Sequence, residues 1–107
     1  MAKLSRDKGK RGEREVVGLL KKHGFEARRG QQFKGTKDSP DVIHNMEGVF
    51  IEVKLRQAFN LHDTVDQASE EGKGDQAAVF HRKNGKAWLV TLYAEDFLAM
   101  MQELYDD

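Results

Sequence analysis

Apolar positions in this chain change their spacing several times, and each change marks a structural element. From about Gly12 to His23, GEREVVGLLKKH carries Val16, Val17 and Leu20 at helical spacing with Leu19 alongside, which predicts a helix with one inward stripe. Gly24 suits the position just past its end, and Lys21, Lys22 and His23 suit the negative pole of its dipole. FEARR (25–29) predicts a short strand. GQQFKGTKDS (30–39) has two glycines and no periodicity, which predicts a mobile loop placed to close over a ligand. PDVIH (40–44) predicts a strand, with Pro40 tolerated at its first position. NMEG (45–48) reads as a turn into the strand VFIEVKLR (49–56), so 40–44 and 49–56 are expected to pair as an antiparallel hairpin.

The second half continues the alternation. NLHDTVDQASEEG (60–72) predicts a helix with Leu61, Val65 and Ala68 facing in and Gly72 at its end. DQAAVFHRK (75–83) and KAWLVTLY (86–93) predict strands joined by Asn84-Gly85, a signal for a type I′ turn. In AEDFLAMMQELY (94–105), Phe97, Leu98, Met101, Leu104 and Tyr105 keep the spacing of one helix face. The order is αβββαββα: an α/β domain with a central mixed β-sheet flanked by helices. With 107 residues and no linker or repeat, the chain reads as one domain, 1–107, in which the polar residues 1–9 form a flexible basic arm.

Composition sharpens this picture at one point. Net charge is zero, yet residues 1–37 hold 12 of the 18 Lys and Arg and only 4 of the 18 Asp and Glu. A basic first third followed by an acidic remainder implies a polyanionic partner; its plainer reading is a solvated basic tail. There is no Cys, so disulfide and thiolate chemistry are excluded, and a cytoplasmic setting is the expectation. No apolar run reaches the length of a membrane span, and the charged start lacks the apolar stretch of a signal peptide.

The candidate chemistry lies in SPDVIHNMEGVFIEVK (39–54). Side chains alternate on a strand, so Val49, Ile51 and Val53 point one way while Phe50, Glu52 and Lys54 point the other. Asp41 falls near the end of the neighbouring strand, and Glu13 extends the inward stripe of the first helix by one turn. Carboxylates crowded in a partly dry cleft repel one another, and a hard divalent cation relieves that repulsion. Mg²⁺ takes oxygen ligands, commonly one or two carboxylates plus phosphate oxygens and water, and the backbone carbonyl of Val53 would add one more. Water on such an ion has a lowered pKa, and Lys54 would orient it or stabilise charge on the phosphorus oxygens. The set is a workable centre for phosphodiester hydrolysis. Each residue alone has a simpler reading: Glu52 and Lys54 as a surface pair, Asp41 as turn chemistry, Glu13 as a charge favoured by the helix dipole.

Pro40-Asp41, ten residues, then Glu52-Val53-Lys54 is similar to the signature of the PD-(D/E)XK nucleases. KRGEREVVGLLKKHGF (10–25) resembles the first helix of archaeal-type Holliday junction resolvases, and HRKNGKAWLVTLYAEDFL (81–98) resembles the tail of small phage resolvase-like proteins. The resemblance implies a restriction-endonuclease-like core and a metal-dependent, structure-selective endonuclease. Under it, Asp41 and Glu52 hold Mg²⁺ (with Mn²⁺ able to substitute), Lys54 is the catalytic lysine, and Glu13 holds metal directly or through water. Gln67 matches a supporting Gln on the helix after the motif. The substrate implied is branched DNA, a four-way junction cut by a homodimer, and a phage origin is implied in the same way. Lys3, Arg6, Lys8, Lys10, Arg11 and Arg14 would flank the entrance, Arg28, Arg29, Lys34 and Lys37 bracket the loop before Asp41, and Arg56 follows Lys54. These cations would grip phosphates without reading bases. Two other functions fit the same residues: a nicking or flap-directed phage DNA-processing nuclease, and a non-catalytic DNA-binding module. His23, His44, His62 and His81 have no zinc-site spacing, and Trp88 reads as core or dimer surface.

Overall fold

Helix α1 runs Ala2–Lys22, starting ten residues before Gly12, so that residues 2–9, expected as an arm, are helical in the computed structural model. The structure describes residues 2–30 and 41–106, with 2–7 as backbone alone; the loop at 31–40, with Lys34, Lys37 and Pro40, lies outside them. Val16, Val17 and Leu20 are the buried stripe of α1, as their spacing predicts. The helix stops at a Schellman turn. Gly24 takes φ +91°, its N–H donates to the Lys21 carbonyl, and the Phe25 N–H reaches back to the Leu20 carbonyl, both at 3.0 Å.

Strands β1 (Ala27–Arg29) and β2 (Val42–His44) pair antiparallel, with Arg28 opposite Ile43. Strand β3 (Val49–Leu55) leads through helix α2 (Leu61–Glu71) to strand β4 (Gln76–Arg82), and β3 and β4 pair in parallel, with Glu52 opposite Val79 and Lys54 opposite His81. Strand β5 (Leu89–Thr91) adds antiparallel to β4, and helix α3 spans Ala94–Tyr105. The element order is the expected αβββαββα, with a three-strand mixed sheet and a small two-strand sheet.

Two expected pairings are corrected. The 40–44 and 49–56 segments do not form a hairpin: β2 takes its ladder from β1, and β3 takes its ladder from β4. A parallel pair needs a crossover, which α2 supplies. The turn at Asn84-Gly85 is also not type I′. The Lys86 N–H donates to the Lys83 carbonyl with φ positive at Gly85 but not at Asn84, and strand pairing resumes only at Leu89.

The sheet β3-β4-β5 is covered on both faces. Val16, Val17, Leu20, Val42, Ile51, Ala78 and Phe80 form one cluster under α1; Val65, Ala68, Ala77 and Val79 form the other under α2. Each fully buried Val or Ile in them contributes roughly 1.5–3 kcal/mol. Asn60 caps α2 by accepting the Asp63 N–H at 3.0 Å, a contact worth about 1 kcal/mol. Helix α3 departs from this plan. Its apolar residues share one face, yet none is buried: Phe97 is 45%, Leu98 61%, Leu104 73% and Tyr105 84% exposed. Among the described residues, no helix is long and apolar enough to cross a membrane.

Candidate active site

Alternation along β3 sends Ile51 and Val53 toward α1 and leaves Glu52 and Lys54 on the other face, as the pattern predicts. β3 is the edge strand of its sheet, beside the end of β2 that carries Asp41. Helix α1 closes the third side. It comes near because residue 12 is glycine: a Cβ there would sit 3.2 Å from Leu55 Cβ and 3.3 Å from Val53 Cγ1. The result is a cleft of about 610 Å³ lined by Glu13, Asp41, Glu52, Val53 and Lys54, together with Lys8 and Arg56.

Glu52 is the most perturbed group in it. Its side chain is 17% exposed, and its pKa is pushed up to about 7. Burial is the largest cause, followed by the charge of Asp41; Lys54 opposes them, while Glu71 on α2 and a hydrogen bond with Asp41 push further up. When Glu52 carries its proton, it donates to the Asp41 carboxylate. Lys54 Nζ stands 3.8 Å from Glu52 Oε1. Glu13 is raised as well, first by burial and then by Asp41, against the lowering effect of Arg29 and Lys10. Arg29 Nε donates to Glu13 Oε1 at 3.2 Å.

Among the described residues, no three acidic or histidine side chains are gathered closely enough to hold a metal by themselves. The acidic nucleus is the Asp41–Glu52 pair, with Glu13 in the same cleft but engaged by Arg29. Two acids forced to share a hydrogen bond fit a hard divalent cation, which takes one or two carboxylates and completes its shell with water, carbonyl and phosphate oxygens.

The other expected residues divide. Gln67 is exposed, outside the cleft lining, and donates from Nε2 to Glu71 Oε1 at 3.1 Å; its link to the site runs through Glu71. Lys10, Arg14 and Arg28 are exposed. Arg11 donates to Asn84 Oδ1 at 3.0 Å and pairs with Glu15 at 3.6 Å. Lys34 and Lys37 lie outside the described residues. Asp66 on α2 accepts from the Tyr93 hydroxyl at 2.5 Å. Trp88 is half-buried against the α1 cluster. The sequence reading missed the clasp around it: Arg82 donates to both oxygens of Glu15 at 2.9 and 3.0 Å, and Trp88 Nε1 donates to the same carboxylate at 3.1 Å. That clasp ties α1, and with it Glu13, to the C-terminal end of β4, where Arg82 stands opposite Leu55. It also missed Arg29 as the partner of Glu13 and Glu71 as a source of Glu52's shift.

An acid pair and a lysine on a strand edge, faced by a helix-borne acid within this α/β core, form the residue set expected of a nuclease of the PD-(D/E)XK class. Residues 4–101 match the profile of the family described as archaeal Holliday junction resolvase (Hjc). The chain belongs to the archaeal Holliday junction resolvase family, whose members are divalent-metal-dependent nucleases of DNA recombination and repair. A solved structure of Archaeoglobus fulgidus Hjc, a Holliday junction resolvase from an archaeal hyperthermophile, is similar at 26% identity with a TM-score of 0.54, over 79% of this chain and 72% of that one. A comparison with curated protein sequences gives no significant match.

Proposed function

We propose that this resolvase cuts four-way DNA junctions with Mg²⁺ as its ion, and that it works as a homodimer with one site for each of two opposed strands. The observation that carries the reading is the Asp41–Glu52 acid pair with Lys54 at 3.8 Å, set in a cleft that Lys8 and Arg56 also line. Asp41, Glu52 and the Val53 carbonyl would hold the ion, and Glu13 would reach it through water. The bound ion supplies positive charge for the scissile phosphate and a water of lowered pKa. Lys54 orients the attacking water and stabilises charge that builds on the phosphorus oxygens. Glu52 would have to be deprotonated to hold the ion, since an ion and a proton compete for the same carboxylate. Lys8, Lys10, Arg14, Arg28 and Arg56 hold the phosphate backbone by charge, which positions the strand without reading sequence.

The exposed stripe of α3 supports the dimer. Phe97, Leu98, Leu104 and Tyr105 leave an apolar face that a second copy would cover, and a two-fold pair of sites matches a two-fold substrate.

The test is a labelled four-way junction incubated with and without Mg²⁺, with products mapped on every strand. Paired cuts on opposed strands, absent without the ion, are expected. Asp41→Asn and Lys54→Ala should abolish cutting while junction binding survives. Undiminished cutting by either variant removes this site from the chemistry, and preference for flaps or linear duplex removes the junction assignment.

A further inference from the structure

A second cavity, of about 650 Å³, lies beside the acidic cleft and shares Arg56, Gln57 and Ala58 with it. His81 lines this second cavity and stands opposite Lys54 in the parallel ladder. Residues paired in that register point to the same face, so the cavity begins one strand away from the catalytic lysine. Its walls are apolar, formed chiefly by Phe59, Leu61 and Leu89. The Phe59 ring stands edge-on to His81 with centroids 5.5 Å apart. His81 is itself fixed, with Nε2 2.8 Å from Thr91 Oγ1, and burial lowers its pKa, so it is a neutral ring near pH 7.

The rim has the opposite character. Arg56, Lys83 and Lys86 are exposed around the opening, and no acid lines it among the described residues. Arg82 is withdrawn from this set by its two bonds to Glu15. Gln57 Oε1 accepts the Asn84 N–H at 2.8 Å, which ties the segment after β3 to the turn on the far side and fixes the cavity's frame. Apolar aromatic walls under a cationic rim, continuous with a phosphate-cutting cleft, complement a flat apolar ring carried on an anionic chain. A second copy fits this surface poorly, because a two-fold contact would bring like-charged rims together.

We propose that this cavity receives one unstacked nucleobase from the strand whose phosphate lies in the acidic cleft, and that this capture creates the preference for branched over linear DNA. The proposal rests on the nuclease reading above. Pulling a base from a stack is cheapest where pairing is already disrupted. A branch point offers such a base and a continuous duplex does not. Stacking on aromatic side chains tolerates any base, so the device selects shape rather than sequence.

The test uses the full chain carrying Asp41→Asn, which binds without cutting, against a four-way junction and a linear duplex of the same sequence. Phe59→Ala removes the wall; Ala87→Phe fills the cavity from an exposed position and leaves the Phe59–His81 contact in place. Each should weaken junction binding about 5- to 150-fold, the range expected on removing a base-stacking aromatic, and leave duplex binding unchanged. An abasic nucleotide beside the cut should weaken junction binding by the parent protein to the same degree, with no further loss in Ala87→Phe. This substrate arm needs no substitution in the cavity, so it decides the matter even where a variant fails to fold. An unchanged junction-to-duplex ratio in folded variants, or no effect of the abasic nucleotide, overturns the proposal. A change of oligomeric state in Ala87→Phe also overturns it and assigns the cavity to a second copy. A parent that shows no junction preference at all removes the junction assignment of the proposed function, a different result from a preference that survives in the variants.

Discussion

Replacing Glu52 with Gln should stabilise the metal-free protein while abolishing its activity. In the folded chain Glu52 has a pKa of about 7, against 4.5 for an ordinary Glu side chain. Below pH 4.5 the group is protonated in both folded and unfolded chains and costs nothing. As pH rises through 7 the unfolded chain releases this proton first, so the folded state binds more protons and loses stability. At 1.36 kcal/mol per pKa unit, the full loss is about 3 kcal/mol once pH exceeds 7. Glutamine removes the charge and keeps an N–H to donate to the Asp41 carboxylate. Urea unfolding in a chelator should therefore place the Glu52→Gln midpoint about 1–2 M above wild type at pH 8, using an ordinary slope for a small domain. At pH 4.5 the two midpoints should coincide. Mg²⁺ should raise the wild-type midpoint at pH 8 and leave the variant nearly unmoved. A variant that is equally stable or less stable than wild type at pH 8 would show that Glu52 is not crowded, and the metal argument would lose its basis.

Gly12→Ala should separate stability from activity. Alanine gains about 1 kcal/mol of helix propensity, and the contacts near 3.2 Å cost roughly 1–3 kcal/mol, so the net loss of stability is about 0–2 kcal/mol. Displacing Glu13 and α1 by a few tenths of an ångström should still lower kcat for junction cutting at least tenfold; an unchanged kcat means that α1 placement does not matter. Leu98→Asp with Leu104→Asp should turn a dimer into monomers in sedimentation without changing the far-UV spectrum, because both side chains are exposed within the chain. Persistent dimers would place the interface elsewhere. Lys8→Ala should weaken junction and duplex binding alike and reduce the salt slope by about one, measured from affinity at several salt concentrations; a loss confined to junctions would give Lys8 a shape-reading role instead.

Much of the site was legible because strand alternation is a strict rule. Phe50, Glu52 and Lys54 had to share a face, and a glutamate one turn before Val16 and Val17 had to look inward. What failed was pairing. NMEG looks like a hairpin turn, yet the signal for a parallel partner lay further on: Ala77, Ala78, Val79 and Phe80 are apolar in succession, as in a strand covered on both faces. The first turns of α1 were missed because residues 2–9 carry no apolar stripe for a periodicity argument to find. The Asn84-Gly85 turn takes its form within a long connection whose Asn84 N–H is held by Gln57, a residue far away in the chain. Similarly, no local pattern joins Arg29 to Glu13, or Glu15 to Arg82 and Trp88. On α3 the spacing correctly gave one apolar face, but spacing cannot say whether the cover comes from the same chain.

A divalent ion held by Asp41 and Glu52 would displace the proton that the two carboxyls share. Titrating the protein with Mg²⁺ in weak buffer at pH 6.5, with released protons measured beside the binding heat, tests this directly. Roughly 0.8 proton should leave per ion bound, falling toward zero at pH 9, and Asp41→Asn should lose both the binding and the release. Magnesium binding with no proton released at pH 6.5, or binding unchanged in Asp41→Asn, would contradict it.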